Sequence, residues 1–139
     1  MEYFQHAALI LLDTHVLVWL VSEPDRLSRR AAAAIRKAQF QDGIAISSIT
    51  LLELATLFAR GRLRGVGTLE TSIRSVLERS GVSVREISPE IAALAVQFPD
   101  SFTKDPADRL IGATARAEGM TLVTRDEKIR ESSLLKTIW

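Results

Sequence analysis

The sequence predicts an α/β domain with a parallel central sheet of four to five strands flanked by helices. Three observations carry that expectation. Short apolar runs alternate with longer helical patterns along the 139 residues, the order that βα units produce. The first run, residues 8–12 (ALILL), is apolar without interruption, as in a strand buried on both faces. Short hairpin signals between the runs are few.

In chain order, residues 14–21 follow as a short, strongly apolar helix closed by the turn Ser22-Glu23-Pro24-Asp25. Ser28 is placed to cap a helix over 29–40 that Asp42-Gly43 stops, and residues 44–46 read as the second strand. Thr50 opens a helix through LLELATLFAR that Gly61 ends. Thr68 opens another, ended by Gly81. Residues 82–87 alternate as a third strand. Ser88-Pro89 and Asp105-Pro106 each pair a cap residue with a proline at the first helical position, where its missing N–H costs nothing. Residues 121–124 form the fourth strand, a helical turn follows Asp126, and the tail LLKTIW supplies a last edge strand. Without a repeat, low-complexity tract or linker, residues 1–139 read as one domain. Residues 1–7 are expected to be a flexible or cloning-derived end.

A chain of this length buries roughly 70% of its unfolded surface. Its 47% hydrophobic and 25% charged residues are ordinary for a globular protein. Cysteine is absent, which excludes disulfides, thiol catalysis and thiolate metal sites and fits a reducing cytoplasm. No basic region precedes the short apolar run near the N-terminus, so neither a signal peptide nor a membrane span is expected. The net charge of +1 leaves nucleic-acid binding to be decided by local basic stripes.

Asp13, Glu53, Asp108 and Asp126 each follow a strand or open a helix. In an open parallel sheet those positions share the edge where ligands bind. Carboxylates gathered there repel, at ~4 kcal/mol for a pair ~4 Å apart in an effective dielectric of ~20. Hard divalent cations such as Mg²⁺ or Mn²⁺ relieve that repulsion. Singly, each acid has a structural use. Thr50-x-x-Glu53 fits a capping box, Asp105 caps before Pro106, Asp108 complements a helix dipole, and Asp13 and Asp126 suit a cap and a turn. Capping explains one acid at a time, not why all belong to one edge.

The segments LLDTHVLVWL (11–20), SSITLLELATL (47–57) and DPADRLIGATARAEGMTLVTRD (105–126), with the short tail, resemble the PIN-domain family, specifically its VapC-type toxin ribonucleases. The resemblance covers nearly the whole chain. It implies a single PIN-like domain in which Asp13, Glu53, Asp108 and Asp126 match the acidic quartet that holds one or two Mg²⁺ or Mn²⁺ ions. Asp105 is either a further acid near the metal or only a cap. The implied activity is that of a metal-dependent endoribonuclease, the toxin of a type II toxin–antitoxin pair. The alternative is a non-catalytic PIN-like module that binds RNA or protein.

Phosphodiester hydrolysis by such a set needs no protein nucleophile: one ion activates a water and a second, about 3.5–4 Å away, stabilises the leaving oxygen. Asp13 and Asp108 are the expected main ligands. Asp126 holds the second ion or its water, and Glu53 completes the shell or acts as base. Thr14 and Thr124 either orient water or merely pack.

His6 and His15 are the only histidines, which argues against a histidine-rich zinc site; His15 is expected to pack beside Asp13. No GxxxxGK[ST] or GxGxxG run occurs, and Asp13-Thr14-His15 lacks the second aspartate of haloacid-type phosphatases. Arg60, Arg62 and Arg64 form the best candidate RNA grip, the competing explanation being that cations favour a helix C-terminus. Arg109 and Arg125 adjoin the acids and either contact RNA phosphates or moderate the negative field. The expected partners are RNA, an antitoxin and a second copy of the chain, with no membrane. A homodimer is expected because residues 16–21, 51–58 and 91–98 are apolar around more of each helix than one core-facing stripe requires.

Overall fold

The computed structural model describes residues 9–139. His6, the expected flexible end and the start of the expected first strand lie outside the described residues. Five parallel strands form the sheet: β1 (Ile10–Leu12), β2 (Ile44–Ser47), β3 (Ser83–Arg85), β4 (Thr121–Val123) and β5 (Thr137–Ile138), in the order β3-β2-β1-β4-β5. Seven α-helices connect them: α1 (Thr14–Ser22), α2 (Arg29–Gln39), α3 (Ile49–Ala59), α4 (Leu69–Ser80), α5 (Pro89–Gln97), α6 (Pro106–Ala117) and α7 (Glu127–Arg130). A 3-10 turn spans Pro24–Arg26.

The period-2 alternation of the strands separates two cores. Ile10, Leu12, Ile44, Ile46 and Val123 point to one face, where Val16 and Leu17 of α1, Ile35 of α2, Leu54 of α3 and Val76 of α4 meet them. Leu11, Ala45 and Leu122 point to the other, against Ile91 of α5, Ile111 of α6 and Ile129 of α7. β1 is buried at all three positions because both faces are covered, as its unbroken apolar run predicts.

The predicted caps form. Ser28, Thr68 and Ser88 accept backbone N–H bonds from Ala31, Thr71 and Ile91. Gly81 adopts the left-handed conformation (φ 72°) that closes α4. Several element bounds shift by a residue or two, and three differences from the sequence reading bear on the argument. β3 is shorter than residues 82–87, because its pairing ends where β2 ends, at Ser47↔Arg85. Thr50 does not open α3: the helix begins at Ile49, whose N–H is taken by Ser47 Oγ at 3.2 Å, and Thr50 turns fully inward. Residues 16–21 leave no free apolar face, since Val16 to Trp19 are buried in the first core and Leu20 and Val21 pack against it.

Candidate active site

The strand order reverses direction between β1 and β4, so the chain leaves their carboxyl ends on diverging paths and opens a crevice there. Asp13 is the first residue beyond β1, and its N–H donates to Val123 O of β4 at 3.0 Å, which ties the two strand ends together. A cleft of about 670 Å³ opens at this edge, lined by Asp13, Glu53 and Asp108. Asp126 lines a neighbouring hollow, with His15 and Trp19 shared between the two. Three of the four predicted acids therefore meet in one cleft, and the fourth stands beside it.

A threonine holds each of these carboxylates or its backbone. Asp13 is buried (4% exposed); its Oδ1 accepts from Thr14 N at 2.9 Å and its Oδ2 from the Thr124 hydroxyl at 2.8 Å. Thr124 Oγ1 also accepts the Asp126 N–H at 3.0 Å, so one hydroxyl links the acid after β1 to the acid after β4. Thr14 donates to Glu53 Oε1 at 2.5 Å and lies 2.9 Å from the buried Thr50 hydroxyl. Thr103 donates to Asp108 Oδ2 at 3.2 Å.

These contacts remove the capping-box explanation of Glu53. Its carboxylate reaches across to α1 rather than back to its own helix start. Asp105 and Asp126 do cap, accepting from Asp108 N at 3.0 Å and Ile129 N at 3.1 Å. The side chain of Asp13 accepts only from the adjacent Thr14 N in its helix.

Burial pushes the Asp108 carboxyl up from 3.8 to about 7, helped by the negative charges of Asp13, Asp105 and Asp126 and opposed by the Thr103 bond. Glu53 is raised as well, mainly by burial, with Asp13 and Asp105 adding to it and the Thr14 bond opposing. Asp105, though a cap, is thus close enough for its charge to be felt at both acids. Among the described residues, no three of these side chains converge into a ready-made metal cage. Like charges separate, and each carboxylate is turned instead to a hydroxyl or N–H donor. The donor set nevertheless fits a hard cation: it offers oxygen ligands, and a divalent ion would offset the mutual repulsion and the burial cost that raise Asp108 and Glu53.

His15 packs beside Asp13 as expected, its Nδ1 3.6 Å from Oδ2. Its Nε2 accepts the Arg125 N–H at 3.0 Å, which leaves the neutral ring's proton on Nδ1. Burial lowers its pKa in spite of Asp13 and Asp126.

The basic candidates divide. Arg62 lines the acid cleft, while Arg60 and Arg64 are exposed outside it. Arg125 lines the hollow of Asp126. Arg109 is corrected: its guanidinium donates to the carbonyls of Thr103, Ala95, Phe98 and Pro99 at 2.8–3.1 Å, clamping the end of α5 and the loop after it. Those donors are committed to backbone rather than offered to phosphate. Arg26 was not singled out by sequence. It lies in a turn without motif character, yet it lines the cleft with its guanidinium over Trp19, Cζ 4.3 Å from the ring centroid.

Comparison with known proteins shows the family and the fold. The PIN domain family profile matches residues 10–133. Ribonuclease VapC22 of Mycobacterium tuberculosis is 43% identical over 123 residues, covering 87% of this chain and 89% of that protein. Among solved structures, VapBC2 from Rickettsia felis, bound to a DNA fragment from the promoter, superposes with a TM-score of 0.69 at 21% identity, covering 94% of this chain and 97% of its own. DNA-bound VapBC from Salmonella typhimurium gives 0.68 at 18% identity, with 93% and 96% covered. At such identities the structural matches speak for the fold alone.

Proposed function

Because the chain belongs to the PIN-domain family, in its VapC-type branch, we propose that it is a metal-dependent endoribonuclease, the toxin of a type II toxin–antitoxin pair acting in the cytoplasm. One observation carries the catalytic part: Asp13, Glu53 and Asp108, from three distant stretches of chain, line one cleft at the carboxyl edge of the sheet with Asp126 beside it. The 43% identity to a ribonuclease supports the substrate class.

In this reading Asp13, Asp108 and Asp126 hold one or two Mg²⁺ or Mn²⁺ ions, with Glu53 completing the set or serving as base. Bound there, such an ion supplies Lewis acidity and lowers the pKa of water. The chain's own contribution is orientation. Thr14 N and Thr124 fix both oxygens of Asp13, so its plane is set before substrate arrives. Thr103 occupies Asp108 Oδ2 and leaves Oδ1 without a hydrogen-bond partner among the described residues. Glu53, whose proton affinity burial raises, is in this reading the carboxyl suited to serve as base. Arg62 is the member of the basic stretch that lines the cleft, and in this reading it meets an RNA phosphate there.

An antitoxin and a second copy of the chain belong to the same reading. Leu52 on α3 and Val96 on α5 stay exposed, at 63% and 82%, on two of the segments whose apolar excess suggested association.

The test is RNA cleavage with Mg²⁺ or Mn²⁺ against excess chelator, for the unvaried chain and Asp13→Asn. Asn keeps the shape and can still accept from Thr14 N, so folding should survive while cleavage is lost. Metal-dependent stabilisation without cleavage of varied RNAs would favour the non-catalytic module instead.

A further inference from the structure

Arg26 stands at the end of the 3-10 turn that follows α1, where Pro24 restricts the backbone. Its guanidinium lies over Trp19 at 4.3 Å. The indole is a stiff platform: it is 9% exposed, with His15 edge-on at 5.0 Å and Trp139 at 5.9 Å. A guanidinium held over such a ring has already lost much of its rotamer freedom, while its N–H donors not turned to the ring remain available for an anion. The one acid within ion-pair reach among the described residues is Glu23, whose Oε1 is 3.8 Å from Nη1, with side-chain exposures of 59% and 48%. So long and exposed a pair contributes little to stability. Glu23 and Arg26 both line the cleft of Asp13, Glu53 and Asp108. Arg125 approaches the same indole at 5.9 Å, in the hollow of Asp126.

We propose that Arg26, held on Trp19, is a phosphate-binding residue for single-stranded RNA in the cleft, and that Glu23 is a weak internal competitor which the RNA phosphate displaces. The inference rests on the ribonuclease reading and extends it to a residue outside the acidic set and the basic stretch Arg60–Arg64. The physical logic is one of exchange. Without RNA, the carboxylate partly neutralises a cation that lines the cleft of the acids. With RNA, a phosphate offers Arg26 a shorter, bidentate, charge-assisted contact that a loose exposed carboxylate does not match. Glu23 then becomes an unpaired negative charge close to RNA, so its removal strengthens binding whereas removal of Arg26 weakens it.

The experiment measures affinity of a short, labelled, mixed-sequence single-stranded RNA by fluorescence anisotropy across a salt series. It uses the full chain carrying Asp108→Asn, with Mg²⁺ present, so that RNA is not cut. Adding Arg26→Gln should weaken binding about tenfold, as for loss of a charged hydrogen bond. It should also lower the slope of log Kd against log salt by ~0.7, one phosphate's share for a single strand. Arg26→Lys should keep the slope but recover only part of the affinity, because the charge stays and the planar stack is lost. Glu23→Gln should tighten binding, and by more than Asp25→Asn, an equal charge change on an exposed neighbour outside the cleft. An unchanged salt slope in Arg26→Gln, or a Glu23→Gln effect no larger than that of Asp25→Asn, overturns the inference. The unvaried chain is assayed beside them for Mg²⁺-dependent cleavage of the same RNA. Absence of cleavage overturns the ribonuclease reading, whereas cleavage with an unmoved slope overturns the Arg26 inference alone.

Discussion

Replacing Asp108 by Asn should make the metal-free protein more stable at alkaline pH and remove its stabilisation by metal. The carboxyl rises from 3.8 to about 7, chiefly through burial and then through Asp13, Asp105 and Asp126. At ~1.4 kcal/mol per pH unit that amounts to ~4 kcal/mol for a site sealed from water. Asp108 is only half-buried, and solvent screening reduces the figure to ~1–2 kcal/mol. Its sign follows from proton counting. Between pH 3.8 and about 7 the folded chain keeps a proton that the unfolded chain releases, so stability falls as pH rises and the penalty is complete above 7. Asn does not ionise and escapes the penalty, while its side-chain oxygen can still accept from Thr103. The assay is thermal melting in chelator at pH 5 and pH 8, repeated with Mg²⁺ or Mn²⁺. At pH 8 the variant should melt ~3–8 °C higher than the unvaried chain, with a smaller gain at pH 5. Metal should raise the melting temperature of the unvaried chain far more than that of the variant. A variant no more stable at pH 8 than at pH 5 relative to the unvaried chain, or an undiminished metal response, would refute the electrostatic account.

Glu53→Gln keeps an acceptor for Thr14 and escapes the burial penalty on the charged form, so melting should hold or rise while cleavage falls about 10²-fold or more if the carboxylate is a base or ligand; wild-type turnover would remove it from the site. Arg109→Ala should cost ~3 kcal/mol, because four carbonyls at the end of α5 and in the following loop lose their donors. Its RNA affinity below the melting transition should be unchanged, and a loss of affinity with intact stability would restore Arg109 as a phosphate contact. Light scattering at micromolar concentration should report a dimer that Val96→Glu or Leu52→Glu dissociates, and a monomer in the unvaried chain would remove self-association from the proposal.

The order of strands and helices was legible in the sequence because it rests on local causes. An unbroken apolar run marks β1, Ser28, Thr68 and Ser88 place helix starts, and Gly81 stops α4. That the four acids gather at one edge of the sheet was legible for the same reason, each standing just after a strand or at the start of a helix. Their partners were not. Thr14 to Glu53 spans 39 positions and Thr124 to Asp13 spans 111, so no local pattern links these two hydroxyls to the carboxylates they orient. Thr50-x-x-Glu53 shows how a local pattern misleads. Its spacing suits a capping box, but Ser47 takes the helix start and both side chains turn to α1. Arg109 and Arg26 exchange expectations likewise: the arginine beside the acids in sequence clamps backbone, and the one at a turn read only as a helix stop lines the cleft. Local propensity and apolar periodicity act over a few residues and so specify elements. Which charges share a cleft, and which donors are left for a ligand, is decided only when the sheet brings distant segments within hydrogen-bond and Coulomb range.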